Sequence, residues 1–361
     1  MTNILWIALL VAVMVLIQSL LLSKLALKNV SYTRTFSKTK LYEGEELEMI
    51  EVISNRKLLP VPWIRVETRL PRELRIVGND NQYDIQGDMY HRSAFTLAPY
   101  QQITRRHRVK VLKRGYYSAS TASLTSGDLF GMSNCSKQVE LDLFVTCYPA
   151  PVPVEDIPLP SLKWQGELVV KRYIMPDVFL YGGIRDYTIG DPIKTVHWGA
   201  TASTGVLKVK QNDYTAQPRL LIALNVQPTE SVWGEVSPSD MPDIERGIAL
   251  ASSLAAYLLE NGLEVGFATN GRYKSTEDTV YIEPANSYEQ GQLLLDCFAK
   301  LQVYRQRSFH QFLESLPNFR ECDVLVITCY VNKEIEDAAA DIRSKGNSVG
   351  YYMLRSGGEG A

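Results

Sequence analysis

The chain opens with a long apolar run. Residues 4–22 are apolar apart from Gln18 and Ser19, and residues 1–23 carry no charged side chain. A helix rises about 1.5 Å per residue, so a run of this length spans roughly 28 Å, close to the apolar thickness of a bilayer. The pattern predicts a transmembrane anchor over residues 1–23 that contacts the lipid bilayer through residues 4–22.

A basic segment follows this run. Five cationic residues precede the first acidic residue, Glu43: Lys24, Lys28, Arg34, Lys38 and Lys40. Basic flanks of membrane helices stay in the cytoplasm, so residues 24–40 are predicted to be a juxtamembrane segment of a single-pass protein with a cytoplasmic body. A signal peptide is the lesser alternative because a basic n-region is absent and the cleavage site is poor. A buried helix is the other alternative.

The next segment, residues 41–150, has the pattern of β structure. Residues Glu46–Ile53 alternate polar and apolar side chains almost strictly, which is typical of a half-buried strand. Further short runs follow, with Gly, Asn, Asp or Pro between several of them, and no helical stripe is evident. We therefore predict a small β-sandwich over residues 41–150, whose exposed charges form a solvated surface.

The pattern changes twice in the second half. Five prolines between residues 149 and 163 predict an extended connector, which we assign with the following segment to residues 151–217. From Arg219 onward, buried strands alternate with helices, beginning with the apolar run Leu220–Val226 and a helix from Asp243 to Asn261. This alternation predicts an open α/β domain over residues 218–361. The predicted fold class is α+β multidomain, with a membrane helix, a small β-sandwich and an open α/β domain.

Composition excludes several classes of function. The formal net charge is -2, so no basic face for nucleic acid is expected. Five cysteines without a CxxC pair argue against a zinc ribbon and fit a reducing compartment. The phosphate-loop patterns GxxxxGK[ST] and GxGxxG are both absent. The sequence predicts no cofactor.

The segment between residues 182 and 210 carries the most information. Gly190-Asp191-Pro192 predicts a turn, followed by a short helix over residues 193–203 that ends at Gly205. Val206–Lys210 then alternates as a strand does.

This segment resembles the signature of the bacterial "domain of unknown function 58" family, roughly G-x-R-x-Y-x-x-G-D-x-x-R-x-I-x-W-K-A-S-A-R-x-G-x-L. The matching residues are Gly183, Arg185, Tyr187, Gly190, Asp191, Trp198, Ala200, Ala202, Gly205 and Leu207. Lys194, Gly199 and Thr204 stand where the family has basic residues. Residues 114–117 and 127–131 are similar to the family elements R-G-x-Y and D-P-F-G, so the resemblance spans about residues 40–354.

The resemblance implies a fold and partners. Members of the family are membrane-anchored and carry a β domain followed by a von Willebrand factor type A-like α/β domain. They are commonly associated with MoxR-type AAA ATPases and are thought to act as partners or adaptors in assembly or envelope processes. Most members have two N-terminal membrane segments, whereas this chain has one candidate.

The signature residues have two interpretations. Arg185, Tyr187, Gly190, Asp191, Trp198 and Gly205 could form a recognition site for the ATPase or a ligand. Alternatively, Arg185 and Asp191 form an internal ion pair and Trp198 packs in a core, which is the interpretation we favour. A general-base role for His197 with Asp186 or Asp191 is the weakest hypothesis, because no serine or cysteine lies in a nucleophile-elbow context.

A metal site of the type A kind needs a D-x-S-x-S motif after the first strand. The corresponding residues here are Asn225, Gln227 and Thr229, so amides replace the carboxylate and the first hydroxyl. A later aspartate is also missing after residues 327–330. We interpret these three residues as a degenerate metal site and predict that no metal binds.

Together, these observations predict a non-enzymatic, membrane-anchored interaction or adaptor protein that partners a MoxR-type AAA ATPase and binds no nucleic acid. One alternative is an exported adhesion-type binding protein with a degenerate metal site. The other is an enzyme built around Arg185, Asp191 and His197.

Overall fold

The computed structural model describes residues 2–78, 82–85, 88–128, 133–153, 163–164, 167–168, 181–188, 196–212, 219–231, 234–273, 279–305 and 307–355. The chain forms two compact units, Met1–Ala150 and Pro151–Ala361. The finer boundaries predicted at residues 23, 40 and 217 stay predictions.

The described part of the first unit contains one helix followed by strands. They are α1 (Thr2–Leu25), β1 (Val30–Phe36), β2 (Lys40–Tyr42), β3 (Glu46–Asn55), β4 (Val61–Leu70), β5 (Leu74–Ile76), β6 (Gln82–Ile85), β7 (Asp88–Leu97), β8 (Gln102–Val111), β9 (Gly115–Gly127) and β10 (Asn134–Tyr148).

These strands form two sheets. One has the order β1-β3-β8-β5 and the other the order β2-β10-β9-β4-β7-β6. The predicted strand at Glu46–Ile53 is confirmed as β3, where Leu47, Met49 and Ile53 are buried in the hydrophobic core. The period-2 alternation of side chains gives each sheet one apolar face, and these inward faces supply the core of the unit.

Helix α1 forms over the apolar run, and its end contacts the first unit. Ser19 is buried, and its Oγ lies 3.0 Å from the Oγ of Ser133, the residue before β10. Toward the N-terminus, Trp6 and Met14 are exposed. No helix in the described residues combines the length and the apolarity that crossing a membrane requires. This finding overturns the predicted transmembrane anchor over residues 1–23 and the single-pass localisation with a cytoplasmic body.

The second unit has short hairpins, a larger sheet and five described helices. Its elements are β11 (Lys163–Trp164), β12 (Glu167–Leu168), β13 (Tyr181–Asp186), α2 (Trp198–Thr204), β14 (Lys208–Asn212), β15 (Arg219–Leu224), β16 (Gly234–Glu235), α3 (Met241–Glu260), β17 (Glu264–Tyr273), β18 (Thr279–Ala285), α4 (Tyr288–Lys300), β19 (Leu301–Gln302), β20 (Tyr304–Arg305), α5 (Phe309–Glu314), β21 (Cys322–Thr328), α6 (Lys333–Ser344) and β22 (Ser348–Met353).

The larger sheet has the order β18-β17-β15-β21-β22, with β19 pairing to β17. Strand β15 runs parallel to β17 and β21, β22 runs parallel to β21, and β18 is antiparallel to β17. Side chains of α3 and α4 share one hydrophobic cluster with one face of the sheet, and those of α5 and α6 share a second cluster with the other face. The carboxyl ends of β15, β17 and β21 therefore meet at one edge of the sheet.

Strand is the most abundant secondary structure in the described part of the chain. Strands hold 46% of the described residues and helices 27%. Part of this excess lies in residues 151–217, where the sequence predicted an extended connector and one strand over Val206–Lys210, whereas the structure contains β11 to β14. Strand pairing thus supplies more of the backbone hydrogen bonding than the sequence pattern indicated. The predicted fold class is therefore corrected to a β-rich chain. Two parts of that prediction are wrong: the membrane helix and the open α/β domain similar to von Willebrand factor type A.

Candidate functional site

The signature segment folds into a small hairpin with a short helix. Strand β13 pairs antiparallel with β14, so that Arg185 lies opposite Val209 and Asp186 opposite Lys208. The Nζ of Lys208 lies 2.5 Å from Oδ1 of Asp186. The backbone N–H of Tyr187 donates to the carbonyl of Leu207 at 2.9 Å, and Tyr187 is half-buried. The hairpin thus holds these signature residues through backbone pairing rather than through a core.

Four large apolar side chains of this hairpin and helix are exposed. Trp198, at the first position of α2, is 66% exposed. Ile184, Val206 and Leu207 are also exposed, and we call these four residues the signature patch. The interpretation in which Trp198 packs in a core is therefore wrong.

Two hydrogen bonds of Arg185 stay within the turn after β13. Its Nη1 donates to the carbonyl of Asp186 and to Oγ1 of Thr188, each at 3.0 Å. Gly190 and Asp191 lie outside the described residues, and so does the predicted Arg185–Asp191 ion pair.

His197 and Gly205 mark the two ends of α2. The backbone N–H of Ala200 donates to Nδ1 of His197 at 3.0 Å, so His197 caps the helix N-terminus. Gly205 adopts a φ of 69° and donates its N–H to the carbonyl of Thr201 at 2.9 Å. This left-handed conformation explains why glycine occupies position 205, because a residue with a Cβ is strained there. In this structure His197 and Gly205 are helix caps.

Gly205→Ala is expected to lower the free energy of unfolding of the hairpin and α2 by about 1 kcal/mol, because alanine is strained in the left-handed region. Gly205→Asn should cost less, since asparagine tolerates this conformation better. Hydrogen exchange of the amides at the end of α2 measures the difference. Equal protection in the alanine variant and the unmodified chain would contradict the assigned role.

The degenerate metal-site residues lie at the carboxyl edge of the larger sheet. Asn225, directly after β15, donates from Nδ2 to Oγ1 of Thr328 at the end of β21, at 3.0 Å. Its Oδ1 accepts the backbone N–H of Gln227 at 3.0 Å. Thr229 is exposed, and its Oγ1 lies 3.4 Å from the Oγ of Ser231. The structure therefore brings the side chains of Asn225 and Gln227 together, whereas Thr229 contacts them only through its carbonyl, which accepts from Nε2 of Gln227 at 3.5 Å.

A further residue, Asn270 near the end of β17, contacts Asn225 and Gln227. Its Oδ1 accepts the backbone N–H of Val226 at 3.0 Å. Its Nδ2 lies within 3.3 Å of Oδ1 of Asn225, Oε1 of Gln227 and the carbonyl of Arg307. The Oε1 of Gln227 also accepts the N–H of Phe309, the first residue of α5, at 2.8 Å. We call Asn225, Gln227, Asn270 and Thr328 the edge amide network.

The edge amide network carries no charge, and its amide side chains are buried. Its polar atoms are used to join the ends of β15, β17 and β21 and the start of α5. Within the residues that the structure describes, no group of three or more His, Cys, Asp or Glu side chains could hold a metal ion. Proteins hold Mg²⁺ mainly through one or two carboxylates, and the edge amide network contains none, so its chemistry suits structural cross-linking of the edge.

His310 participates in a hydrogen-bond chain near the same edge. Its Nδ1 lies 2.8 Å from Oε2 of Glu334 in α6, and its Nε2 lies 3.3 Å from the Oγ of Ser308. Ser308 is buried. The chain of contacts therefore connects α5 to α6 at the protein surface, where the Glu334 side chain is exposed.

The first unit contains a polar site that sequence reasoning missed. Six side chains form what we call the buried charge cluster: Tyr32, Arg34, Glu51, His91, Ser93 and His107. Arg34, Glu51 and His91 have fully buried side chains, and Arg34 forms a salt bridge with Glu51.

Both oxygens of Glu51 are occupied. Oε1 accepts from the Tyr32 hydroxyl at 2.7 Å and from Nη2 of Arg34. Oε2 accepts from the Ser93 hydroxyl at 2.8 Å and contacts Nε2 of His107 at 2.9 Å. Burial opposes ionisation, but the His107 hydrogen bond, the Arg34 charge and the Tyr32 hydroxyl together hold the pKa of Glu51 well below its usual range.

The buried charge cluster had a sequence signal. The inward face of β3 is Leu47, Met49, Glu51 and Ile53, so the period-2 pattern itself places a carboxylate on the apolar face. A charge at such a position needs a buried partner. The partners Arg34, His91 and His107 are remote in sequence, so only strand pairing and sheet packing identify them.

Comparisons with known proteins add little. No protein-family model matches the chain, and no characterised protein matches it in sequence. Among solved structures, the chain is similar to the CARDB domain of a Pyrococcus furiosus protein in complex with di-metal ions, at 14% identity over 32% of this chain and 96% of that chain, with a TM-score of 0.19. A non-cellulosomal cohesin from Archaeoglobus fulgidus is 12% identical over 33% of this chain and 91% of that chain, with a TM-score of 0.20. A PapD-like domain of human CEP192 is 14% identical over 34% of this chain and 87% of that chain, with a TM-score of 0.22. Each likeness covers about a third of the chain at a low TM-score, so none carries an argument about function.

Proposed function

We propose that the chain is a non-enzymatic interaction protein that binds a MoxR-type AAA ATPase, as an adaptor, through the signature patch. The partner class comes from the sequence resemblance of residues 182–210. The observation that carries the proposal is the 66% exposure of the Trp198 side chain within that same segment.

An exposed tryptophan is costly to leave in water and is a frequent centre of protein interfaces. Interface hot spots are enriched in Trp, Tyr and Arg and are surrounded by contacts that exclude water. In the signature patch, Trp198 is accompanied by exposed Ile184, Val206 and Leu207, and the Arg185 side chain is also exposed. This composition fits an apolar centre with a polar rim.

The edge amide network favours the same kind of function. A metal-bridged interface would need an anionic ligand in the protein, whereas Asn225 and Gln227 are neutral and already hydrogen-bonded to protein groups. The proposed complex therefore forms by surface shape and apolar contact.

Trp198→Ala is expected to weaken binding of the full chain to a purified MoxR-type AAA ATPase of the same organism at least about tenfold, which corresponds to about 1.4 kcal/mol. Titration calorimetry measures the affinity. Because α2 keeps its caps at His197 and Gly205, the variant should retain its fold, which circular dichroism checks.

Tyr288→Ala is the matched control, since Tyr288 is an 80% exposed aromatic residue at the start of α4 and outside the signature patch. Its affinity should equal that of the unmodified chain within twofold. Equal losses in both variants, or no binding by the unmodified chain, would overturn the proposal.

A further inference from the structure

The buried charge cluster connects the two sheets of the first unit. Tyr32, Arg34, Glu51 and His107 belong to β1, β3 and β8 of one sheet, whereas His91 and Ser93 belong to β7 of the other. Two hydrogen bonds of the cluster cross between the sheets: the Ser93 hydroxyl donates to Glu51 at 2.8 Å, and Nη2 of Arg34 donates to Nδ1 of His91 at 3.2 Å. Polar bonds thus replace apolar packing at this point between the sheets.

The contact between Arg34 and His91 determines the protonation of the imidazole. A guanidinium can only donate, so Nδ1 of His91 must be the acceptor and must carry no proton. The single proton of the neutral ring is then on Nε2, which has no hydrogen-bond partner among the described residues. The native contact therefore exists only while His91 is neutral.

We propose that the buried charge cluster is a pH-sensitive lock between the two sheets, which opens when His91 is protonated at Nδ1. Protonation would turn the acceptor of Arg34 into a second donor. It would also place two positive charges 3.2 Å apart in the interior, where their repulsion is poorly screened.

The groups that face His91 disfavour its charged form. From β1 it meets Arg34, from β3 Glu51, and from β8 the ring of His107 at 5.0 Å and the charge of Arg105. Its ladder neighbours Thr68 on β4 and Gln82 on β6 do not titrate. Glu51 is the one anion among these groups. Its Oε1 lies 3.9 Å from Nδ1 of His91 and already accepts hydrogen bonds from Tyr32 and Arg34.

The sign of the pH effect follows from these contacts. Burial, with the adjacent Arg34 charge, lowers the pKa of His91 to about 4 from the ordinary 6.5. The unfolded state therefore binds the proton first, and the contribution of His91 to stability is present above pH 6.5 and is lost as the pH falls toward 4. Between pH 7 and pH 5 the folding equilibrium of the first unit should fall roughly 20-fold. Most carboxylates stay ionised in this range, which separates the effect from general acid unfolding.

Site-resolved hydrogen exchange of the full-length protein tests the proposal. After correction for intrinsic exchange rates, the protection of β1 and β7 amides should fall roughly 20-fold from pH 7 to pH 5. The amides of β15 and β21 are an internal reference, because the edge amide network that joins them contains no titratable side chain. Their protection should change less than about threefold over the same range.

His91→Gln removes the titration and keeps an amide oxygen that can accept from Arg34. We expect the pH-dependent loss in β1 and β7 to shrink below about threefold in this variant. His310→Gln, which removes a histidine of the second unit, should keep the full loss. A full loss in His91→Gln, or the same loss in β15 and β21 as in β1 and β7, would overturn the proposal.

A second measurement applies if His91→Gln does not fold. The imidazole resonances of His91 can be followed by NMR in the unmodified chain. The proposal requires that His91 stay neutral in the folded first unit from pH 7 to pH 5, while the protection of β1 and β7 falls. Protonation of His91 in a fully protected first unit would refute the lock.

Discussion

Glu51→Ala is expected to lower the free energy of unfolding of the first unit by at least about 3–5 kcal/mol, because it leaves the guanidinium of Arg34 buried without its counter-charge. The same change removes the acceptor of Tyr32 and Ser93, both buried. Unpaired buried donors add their own cost of about 1–3 kcal/mol each when no water reaches them. Since many domains are stable by only about 5–15 kcal/mol, part of the population should be unfolded at room temperature. Urea unfolding followed by hydrogen exchange in the first unit measures the loss.

Glu48→Ala is the matched control on the same strand. Glu48 pairs with Arg106 at 2.8 Å, but both side chains are largely exposed, at 45% and 63%. An exposed pair contributes about 0–1 kcal/mol, so this variant should be nearly as stable as the unmodified chain. If Glu51→Ala and Glu48→Ala lowered stability equally, the buried charge cluster would not have the structural role assigned to it.

Asn270→Asp is expected to lower the free energy of unfolding of the second unit by about 3 kcal/mol or more, although it changes only an amide nitrogen to oxygen. Nδ2 of Asn270 lies within 3.3 Å of three oxygens, on Asn225, Gln227 and Arg307. A carboxylate would direct negative charge toward these oxygens without a donor. The penalty should shrink as the pH falls, because burial raises the pKa of an aspartate and the protonated acid can donate. Hydrogen exchange of β15, β17 and β21 at pH 7 and pH 5 measures both effects.

Asn261→Asp is the control for this substitution. Asn261 is exposed at the end of α3, where its Nδ2 donates to the carbonyl of Tyr257 at 2.7 Å. Loss of that hydrogen bond and a negative charge at a helix C-terminus should cost about 1 kcal/mol. A comparable loss in the two variants would show that the edge amide network is not a special environment.

Local periodicity was informative wherever one element decides its own structure. The alternation in Glu46–Ile53 predicts a strand that the structure contains as β3, and the apolar run that starts at Leu220 predicts β15. The helix expected from Asp243 to Asn261 is α3, which spans Met241–Glu260. These signals are local because side-chain spacing and backbone dihedrals determine both the pattern and the element.

The candidate sites were less predictable. Trp198 is apolar and lies in a helix, which by itself suggests a core position, yet it is exposed because nothing in the described part of the chain covers that face of the hairpin. The prediction of a membrane anchor was wrong for a related reason. Apolar composition states what a segment avoids, whereas its actual surroundings depend on what packs against it, as Ser133 does at Ser19.

The sequence alone determined β3, β15 and α3, the neutral composition of Asn225 and Gln227, and the absence of a phosphate-loop motif, since each of these depends on neighbouring residues. Tertiary structure decided which distant residues meet. Glu51 lies within hydrogen-bond distance of Arg34, Ser93 and His107 only because four strands of two sheets pack together. A buried charge is tolerated only with its partners, and those partners come from pairing and packing that no local sequence pattern encodes.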